Sequence, residues 1–177
     1  MGLADRMYIA GVVLGDGMLA HHRRRGYEVK ITDKSEAYIR YLAELVYQTY
    51  GVRPRVSKDS RRNAWRLRSF RKALYEAILE DIRAAKQNPD RHVVGGLYDA
   101  EGYWNPHKKK LTFTNKDADV ITLVQQFLSQ NSIQYTTYER KKGVHRWYVV
   151  ETHTAQARRL LSILDLRHPK WGTSLYY

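Results

Sequence analysis

Two segments of the chain share one pattern and lie about half a chain length apart. The first is "YIAGVVLGDG", starting at Tyr8, and the second is "HVVGGLYDAEG", starting at His92. Each is an apolar run that contains glycine and ends in an acid followed by glycine, so that Asp16 corresponds to Glu101. A repeat of this kind restricts the possible folds strongly, because it indicates two related halves in one chain.

Further matches follow the two segments in the same order and at nearly the same spacing. "ITDKSEA" resembles "FTNKDAD", and "NAWRLRS" resembles "HRWYVVE", which pairs Trp65 with Trp147. Between the halves lies "AAKQNPDR", whose Asn-Pro step is a natural break. We therefore predict an N-terminal half of residues 1–87 and a C-terminal half of residues 88–177.

The order of elements is predicted to be the same in both halves. The motif run is apolar enough for a buried helix, and alternating segments follow it, as where Val29 and Ile31 alternate with Lys30 and Thr32. Segments with apolar residues at helical spacing separate and follow the strands. The predicted class is α+β, with two pseudo-symmetric αββαββα halves, each a four-stranded antiparallel sheet backed by helices. By the alternation in their strands, both tryptophans of the repeat are predicted to point inward.

The charge of the chain restricts its partners. There are 31 Lys and Arg residues against 18 Asp and Glu, which gives a net charge of +13. This excess predicts a polyanionic partner, with nucleic acid as the first candidate and an anionic membrane surface as the second. The membrane is disfavoured, because no apolar run approaches the roughly 20 residues that span a bilayer.

The absence of cysteine and the start of the sequence exclude other classes. Without cysteine, disulfides, thiolate zinc sites and a cysteine nucleophile are excluded. The start "MGLADRMYIAG" has too short an apolar stretch for a signal peptide. We therefore expect an intracellular protein of the cytoplasm or nucleoid, without a secretion signal.

The outward positions of the predicted sheets are dominated by cations and hydrogen-bonding side chains. A solvated sheet face is the alternative, but such a face normally carries both signs of charge. Arg, Lys, Tyr and Thr in this arrangement suit phosphate contacts and the reading of base edges in a major groove. The candidate contacts of the N-terminal half are Arg23, Arg24, Arg25, Tyr27, Glu28, Lys30, Thr32, Arg53, Arg55, Ser57, Arg61, Arg62, Arg66 and Arg68. Those of the C-terminal half are Tyr103, Asn105, Lys108, Lys110, Thr112, Thr114, Gln134, Thr136, Tyr138, Arg140, Lys142, Arg146 and Tyr148.

The glycines of the two motif runs predict that their helices touch. Glycine in a helix costs roughly 1 kcal/mol relative to alanine, and close backbone approach is a natural reason for it. Helices that pack in this way would bring Asp16 and Glu101 together, and a divalent cation such as Mg²⁺ would relieve their repulsion. Metal held between paired acids beside a phosphodiester is suited to hydrolysis. The alternative for a single copy is a helix C-cap, but two copies in register favour the paired site.

The two motifs, "IAGVVLGDG" and "VGGLYDAEG", resemble those of the LAGLIDADG homing endonucleases of the single-chain, two-motif type. The resemblance covers nearly the whole chain. It implies a monomeric, intron-encoded enzyme whose sheets form a saddle on a long, asymmetric site in double-stranded DNA. Such an enzyme cuts both strands across the minor groove and leaves short 3′ overhangs. It implies two or three Mg²⁺ ions as cofactors, with Mn²⁺ or Ca²⁺ as substitutes in binding.

The same resemblance assigns roles to individual residues. Asp16 and Glu101 would bind the metals, with the carbonyl groups of Gly15 and Ala100 helping. The residues expected around them, which would position water and stabilise charge on the phosphate, are Asp33, Lys34, Asn115 and Lys116.

The chain departs from the family pattern at two places. Asp33 is an acid where relatives often have an amide, so it is either a metal or water contact or a brake on activity. Some relatives carry a lysine shortly after the second motif, where this chain has Tyr103 and Trp104. The lysine role is therefore expected at Lys34 and Lys116.

Two other functions stay open beside cleavage. An intron maturase would bind intron RNA, and a silent DNA-binding protein would use the same scaffold. Retention of both acids argues against the silent protein, because a pure binder does not need paired carboxylates facing phosphates.

Overall fold

The computed structural model describes residues 2–23 and 26–172 and confirms the αββαββα order in both halves. The N-terminal half contains α1 (Leu3–Asp16), β1 (Gly17–His22), β2 (Gly26–Asp33), α2 (Glu36–Tyr50), β3 (Arg55–Asp59), β4 (Ala64–Ser69) and α3 (Lys72–Gln87). The C-terminal half contains α4 (Arg91–Glu101), β5 (Gly102–Asn105), β6 (Lys110–Asn115), α5 (Ala118–Gln130), β7 (Thr136–Lys142), β8 (His145–His153) and α6 (Thr154–Ile163). A short 3₁₀ turn, Pro169–Trp171, follows. The predicted contacts Arg24 and Arg25 lie outside the described residues. Within the described part, no helix is both long and apolar enough to cross a bilayer.

The acid and the glycine that end each motif also end the helix. The backbone N–H of Gly17 donates to the carbonyl oxygen of Val13, and that of Gly102 donates to Tyr98. Both glycines have extended backbone angles, so each chain leaves the last helical turn directly into the first strand of a sheet. Each motif acid therefore sits at the junction of a helix and a strand.

Each half has one antiparallel sheet of four strands. The strand order is β1-β2-β4-β3 in the first sheet and β5-β6-β8-β7 in the second. Helices cover one face of each sheet, and the inward side chains there, such as Ile31 and Leu67 or Phe113 and Val150, are fully buried. No helix of the described residues covers the opposite face of either sheet, and we call it the open face.

The two halves differ by one residue in the register of their last strand. Asp33 pairs with Trp65 across β2 and β4, whereas the equivalent Asn115 pairs with Tyr148 across β6 and β8. Trp65 therefore corresponds in space to Tyr148, not to Trp147. Because a shift of one residue reverses the faces of a strand, the prediction that Trp147 points inward is wrong. Trp65, half-buried against the core, keeps its predicted orientation.

Helices α1 and α4 pack against each other through their glycines, as predicted. A methyl group built on Gly11 would overlap the carbonyl oxygen of Val93, and one on Gly96 would overlap that of Tyr8. A methyl group on Gly15 would lie 2.5 Å from the Cβ of Ala100. Any side chain at these glycines would force the two helices apart.

Gly95 is an exception to the predicted contact between the motif helices. A methyl group there would meet the backbone of Asp165, which belongs to the segment after α6. We call residues 165–172 the C-terminal strap. Within it, the guanidinium of Arg167 bonds Asp165 at 2.5 Å and reaches Asp5 on α1 at 2.8 Å. The strap therefore ties the end of the second half to the first helix of the first half.

The buried carboxylate of Asp99 anchors the strap. It accepts hydrogen bonds from the hydroxyl of Tyr8 at 2.5 Å, the backbone N–H groups of Arg167 and His168 at 2.7 and 3.0 Å, and the indole N–H of Trp171 at 2.5 Å. Asp99 is fully buried and Trp171 is only 2% exposed. Groups from α1, α4 and the strap thus satisfy one another where water is excluded.

Replacing Gly11 with alanine tests the helix contact. We expect Gly11→Ala to lower the free energy of unfolding by roughly 1–3 kcal/mol, a typical cost of overpacking. This loss should appear even though alanine favours a helix over glycine by roughly 1 kcal/mol. Gly2→Ala is the control, because a methyl group there meets no atom closer than 3.8 Å. Denaturant unfolding measures both variants, and a Gly11→Ala protein as stable as the parent would contradict the packing.

Candidate active site

The packing of α1 on α4 places the two motif acids side by side. A methyl group built on Gly15 would lie 3.5 Å from the Cγ of Glu101. Gly15 immediately precedes Asp16, so the last turns of both helices converge at one point. Each acid is followed directly by the first strand of its own sheet. The two carboxylates therefore mark the seam between the two sheets.

The electrostatics of the seam show that this pair of acids is not neutralised by the protein. Burial and, after it, the charge of Asp16 raise the pKa of Glu101 from its ordinary 4.5 to about 7, although Lys170 and Lys116 partly oppose them. Asp16 is open to solvent on one side, but protein crowds its other sides. This lost hydration raises the pKa of Asp16, the charge of Asp33 adds to the effect, and Lys170 opposes it.

A cavity of about 460 Å³ opens beside Asp16. Asp33 and Lys34 line it, as the sequence predicts for residues around the site. Burial acts to raise the pKa of Asp33, but the side chain of His168 at 3.4 Å and the backbone N–H of Ser35 at 2.6 Å lower it below its ordinary value. Asp33 therefore stays ionised and adds a third negative charge near the seam.

The equivalent residues of the second half are arranged differently. The ammonium of Lys116 lies 5.3 Å from the ring centre of Trp147 and acts electrostatically on Glu101. Asn115 is buried, and its side-chain oxygen accepts a hydrogen bond at 2.8 Å from the backbone N–H of Asp117, the N-cap residue of α5. The structure thus brings Lys116 toward the acids, whereas Asn115 forms no described contact with either of them.

Sequence reasoning missed two residues of this region, Lys170 and His168. Lys170 donates a hydrogen bond from its ammonium to the carbonyl oxygen of Asp99 at 2.6 Å. Although the residue as a whole is exposed, protein encloses the ammonium, and this burial lowers the pKa of Lys170 against the opposing charges of the nearby carboxylates. No motif signals either residue, because only the path of the strap brings them to the seam.

The oxygen donors at the seam suit a divalent cation whose coordination is completed by water or phosphate. Carboxylates and the carbonyl groups of Gly15 and Ala100 are the hard oxygen donors that Mg²⁺ prefers. Among the residues the structure describes, no three His, Cys, Asp or Glu side chains form a complete metal site. An ion bound by Asp16 and Glu101 would therefore need water or phosphate oxygens to complete its coordination, which is how Mg²⁺ usually binds beside phosphate groups.

The open face of the first sheet carries most of the contacts predicted there. By register, these are Glu28, Lys30, Thr32, Arg55, Ser57, Arg66 and Arg68. Glu28 is buried, and its carboxylate lies 2.6 Å from the Nε of Arg68, as an ion pair without an aligned hydrogen bond, and 3.1 Å from His22. Its contacts make Glu28 a support for Arg68. Arg23, Arg61 and Arg62 lie exposed in the turns that join the strands.

One predicted contact of the first half points elsewhere. Tyr27 stacks on His21 at 4.4 Å and packs against Tyr75 of α3, so it lies on the helix side of the sheet. The prediction of an outward position for Tyr27 is wrong, because this residue shares its face of β2 with the buried Val29 and Ile31. The guanidinium of Arg53 lies 4.0 Å from the ring centre of Tyr47 on α2, and Arg53 also lines one cavity with Arg55, Arg66 and Arg68 of the open face.

The open face of the second sheet carries a similar set. By register, these residues are Tyr103, Asn105, Lys110, Thr112, Thr114, Thr136, Tyr138 and Arg140. Glu151, which sequence reasoning missed, is buried there and accepts hydrogen bonds from Lys110 at 2.7 Å and from the hydroxyl of Tyr138 at 2.6 Å. Lys108 and Gln134 lie exposed next to strands, and the side chain of Lys142 falls outside what the structure describes.

The register shift also removes two predicted contacts from this face. Tyr148 packs against the core of the second half, so its predicted outward position is wrong. Arg146 shares that side of β8 and pairs with Glu139 at 3.4 Å, which directs it away from the open face as well. Trp147 takes the outward position between them.

The raised pKa of Glu101 gives a test of how costly its charge is at the seam. Folded Glu101 holds its proton more tightly than unfolded Glu101, so its contribution to stability is greatest below about pH 4.5 and is lost as the pH rises through about 7. We expect Glu101→Gln in EDTA to melt higher than the parent at about pH 8, by roughly 2–4 °C for each kcal/mol of burial and repulsion relieved, with no such gain at about pH 4.5. Glu80→Gln, an exposed change on α3, should show the same difference at both pH values. A Glu101→Gln protein that never melts above the parent would mean that neither burial nor Asp16 makes this charge costly.

The chain is similar to known proteins in both sequence and structure. The sequence matches the LAGLIDADG-like domain family twice, over residues 4–83 and 88–165. A search of curated protein sequences found no match.

Solved structures of homing endonucleases share the fold. The structure of I-DmoI with DNA and Ca superposes with a TM-score of 0.79 and 20% sequence identity, covering 99% of this chain and 98% of that one. I-DmoI with DNA and Mn gives 0.76 and 21%, covering 94% and 98%. I-WcaI bound to its DNA recognition sequence gives 0.67 and 13%, covering 99% and 87%. Two matches to one domain family, on a fold with two like halves, establish that this chain belongs to the LAGLIDADG family.

Proposed function

We propose that the protein is a site-specific, metal-dependent endonuclease that hydrolyses both strands of double-stranded DNA. The observation that carries this proposal is the pair of acids, Asp16 and Glu101, at the seam between two cationic open faces. A surface that only bound DNA would be destabilised by this pair and would gain nothing from it. The halves proposed for this enzyme are residues 1–87 and 88–177.

The open faces supply the binding surface in this proposal. Arg55, Arg66 and Arg68 on the first face, and Lys110 and Arg140 on the second, can reach phosphates and base edges in successive major grooves. Because the two faces carry different side chains, the target is expected to be long and asymmetric. One chain contributes both halves, so a monomer suffices.

The seam supplies the chemistry in this proposal. Asp16 and Glu101, with the carbonyl groups of Gly15 and Ala100, would hold divalent ions, two or three in number. A bound ion of this kind supplies an activated water and stabilises the leaving oxygen. Lys34 places positive charge beside the scissile phosphate, where charge builds up during the reaction.

The remaining residues of the seam serve the second strand and the water. Lys116, near Glu101, places positive charge beside the phosphate of the second strand, as Lys34 does near Asp16 for the first. Asp33 positions water in the adjoining cavity. Each motif acid serves one strand, so the two cuts fall across the minor groove and leave short 3′ overhangs. I-DmoI has been solved with DNA and Mn, with DNA and Ca and, as a variant, with DNA in the presence of Mg. Mg²⁺ is the cofactor we propose here, with Mn²⁺ or Ca²⁺ able to bind in its place.

Incubation with a library of randomised duplex DNA, with and without Mg²⁺, tests the proposal. Sequencing of the cut ends gives activity, target and stagger together. We expect one preferred, non-palindromic site whose ends carry 3′ overhangs, and no cleavage in EDTA. Complete absence of metal-dependent cuts from a library long and diverse enough to contain such a target would count against the nuclease.

Changes of the motif acids separate cleavage from binding. We expect Asp16→Asn and Glu101→Gln each to abolish double-strand cleavage while DNA affinity stays near that of the parent. Each change removes a metal ligand but no contact of the open faces. Glu80→Gln, which removes an exposed carboxylate of α3, should cleave normally. Full Mg²⁺-dependent cleavage by Asp16→Asn would refute the assignment of the metal site.

Arg68 tests the orientation of the first open face. We expect Arg68→Ala to relax the preference at particular base pairs, by roughly 1–3 kcal/mol for a contact to a base edge. Arg83→Ala, an exposed change on α3, should leave the preference unchanged. The cleavage profile over a library of single-base variants of the target measures both proteins. Identical profiles for Arg68→Ala and the parent would mean that this face does not read sequence.

A further inference from the structure

We infer that Lys170, carried by the C-terminal strap, is a phosphate-contacting residue of the nuclease centre. The inference rests on the proposed nuclease function and names a group that no motif of the sequence marks. Lys170 would donate hydrogen bonds to a phosphate oxygen at the seam, and no proton is transferred in this role.

The strap holds Lys170 in a defined place. It lies in the 3₁₀ turn Pro169–Trp171, and the next residue, Trp171, is buried with its indole N–H on the carboxylate of Asp99. The backbone N–H of Lys170 donates to Nδ1 of His168 at 2.9 Å. A lysine held on both sides in this way loses little conformational freedom when it meets a ligand.

The ammonium of Lys170 reaches the seam with donors to spare. Its hydrogen bond to the carbonyl oxygen of Asp99 is the one bond it makes within the described part of the chain. That carbonyl lies on the last turn of α4, two residues before Glu101. Lys170 also lines the cavity beside Asp16, but no carboxylate lies within ion-pair distance of it among the described residues. An ammonium has three N–H donors, so two are available to a ligand that enters the cavity.

The charge around the seam explains why a cation is needed there. Asp16, Asp33 and Glu101 bring three carboxyl groups to a place that must receive a phosphate. Lys116 lies over the ring of Trp147, and the side chain of Trp104, close behind the second motif, is buried in the core. Lys170 is therefore the described lysine that acts electrostatically on both motif acids at once.

A purely structural role is the competing explanation. The ammonium satisfies a carbonyl group at the C-terminal end of α4, and cations stabilise such helix ends. In that role Lys170 would affect stability but would not interact with DNA. The two roles therefore differ in measurable ways.

The salt dependence of DNA binding tests the inference without any cleavage. Binding of a mixed-sequence DNA duplex is measured at a fixed excess of Ca²⁺ while the KCl concentration is varied. We expect Lys170→Met to reduce the slope of log affinity against log salt by about 0.9, the value for one phosphate contact in duplex DNA. Lys86→Met, on α3 and paired with Asp119 at 3.7 Å, should leave the slope unchanged. An unchanged slope for Lys170→Met would overturn the inference.

Single-turnover cleavage of the selected target gives a second readout. We expect Lys170→Met to slow cleavage by roughly 10²-fold, as for loss of one donor to developing charge, and Lys170→Arg to recover part of the rate. Trp171→Phe is the control for strap docking, because it removes a bond to Asp99 but keeps the ammonium. It should lower the melting temperature more than Lys170→Met does and slow cleavage less.

The outcomes separate this inference from the proposed function. If Lys170→Met cleaves at the parental rate while Asp16→Asn is inactive, the nuclease stands and the role of Lys170 is refuted. Equal losses of rate and of melting temperature in Lys170→Met and Trp171→Phe would show that the strap acts only by its docking. If the parent itself does not cleave, the nuclease proposal fails, and the salt slope still decides whether Lys170 contacts phosphate.

Discussion

The close approach of α1 and α4 is the constraint on which the rest of the structure depends. Gly11, Gly15 and Gly96 leave no room for a side chain where the helix backbones meet, and each costs roughly 1 kcal/mol of intrinsic helix stability relative to alanine. The close approach brings the C-terminal ends of the two helices near each other, and each end leads directly into the first strand of a sheet. One contact therefore determines both the separation of the two sheets and the meeting of Asp16 with Glu101.

That meeting places electrostatic strain at the seam. Burial and mutual repulsion raise the pKa of Glu101 to about 7, and the protein supplies too little positive charge nearby to cancel the effect. Functional sites commonly trade stability for chemistry in this way. The strap limits the cost, because the buried carboxylate of Asp99 collects bonds from α1 and the strap and holds Lys170 beside the acids.

The pseudo-symmetry of the halves is incomplete in ways that suit an asymmetric ligand. Because the registers of the two sheets differ by one residue, Trp147 lies on the open face of the second sheet and Tyr148 packs on its helix side. Each open face contains a buried glutamate, but the two have different partners. Glu28 of β2 pairs with Arg68 of β4, whereas Glu151 accepts hydrogen bonds from Lys110 and from the hydroxyl of Tyr138. Two related sheets thus present different patterns of donors, which is what reading two unlike half-sites requires.

Much of the architecture could be predicted from local patterns in the sequence. The repeated motif gave the two halves, the alternation around Val29 and Ile31 gave the strands and their buried face, and the clustered glycines gave the helix contact that pairs the acids. The predicted faces of β8 were wrong, because its register was inferred by matching Trp147 to Trp65. Alternation defines the two faces of a strand, but only its pairing with a neighbour decides which face is buried. The outward position predicted for Tyr27 conflicted with that same alternation, because Tyr27 shares the buried face of β2 with Val29 and Ile31. The strap and Lys170 were decided by tertiary structure alone, through contacts to a buried carboxylate and a backbone carbonyl that are about 70 residues away in the chain.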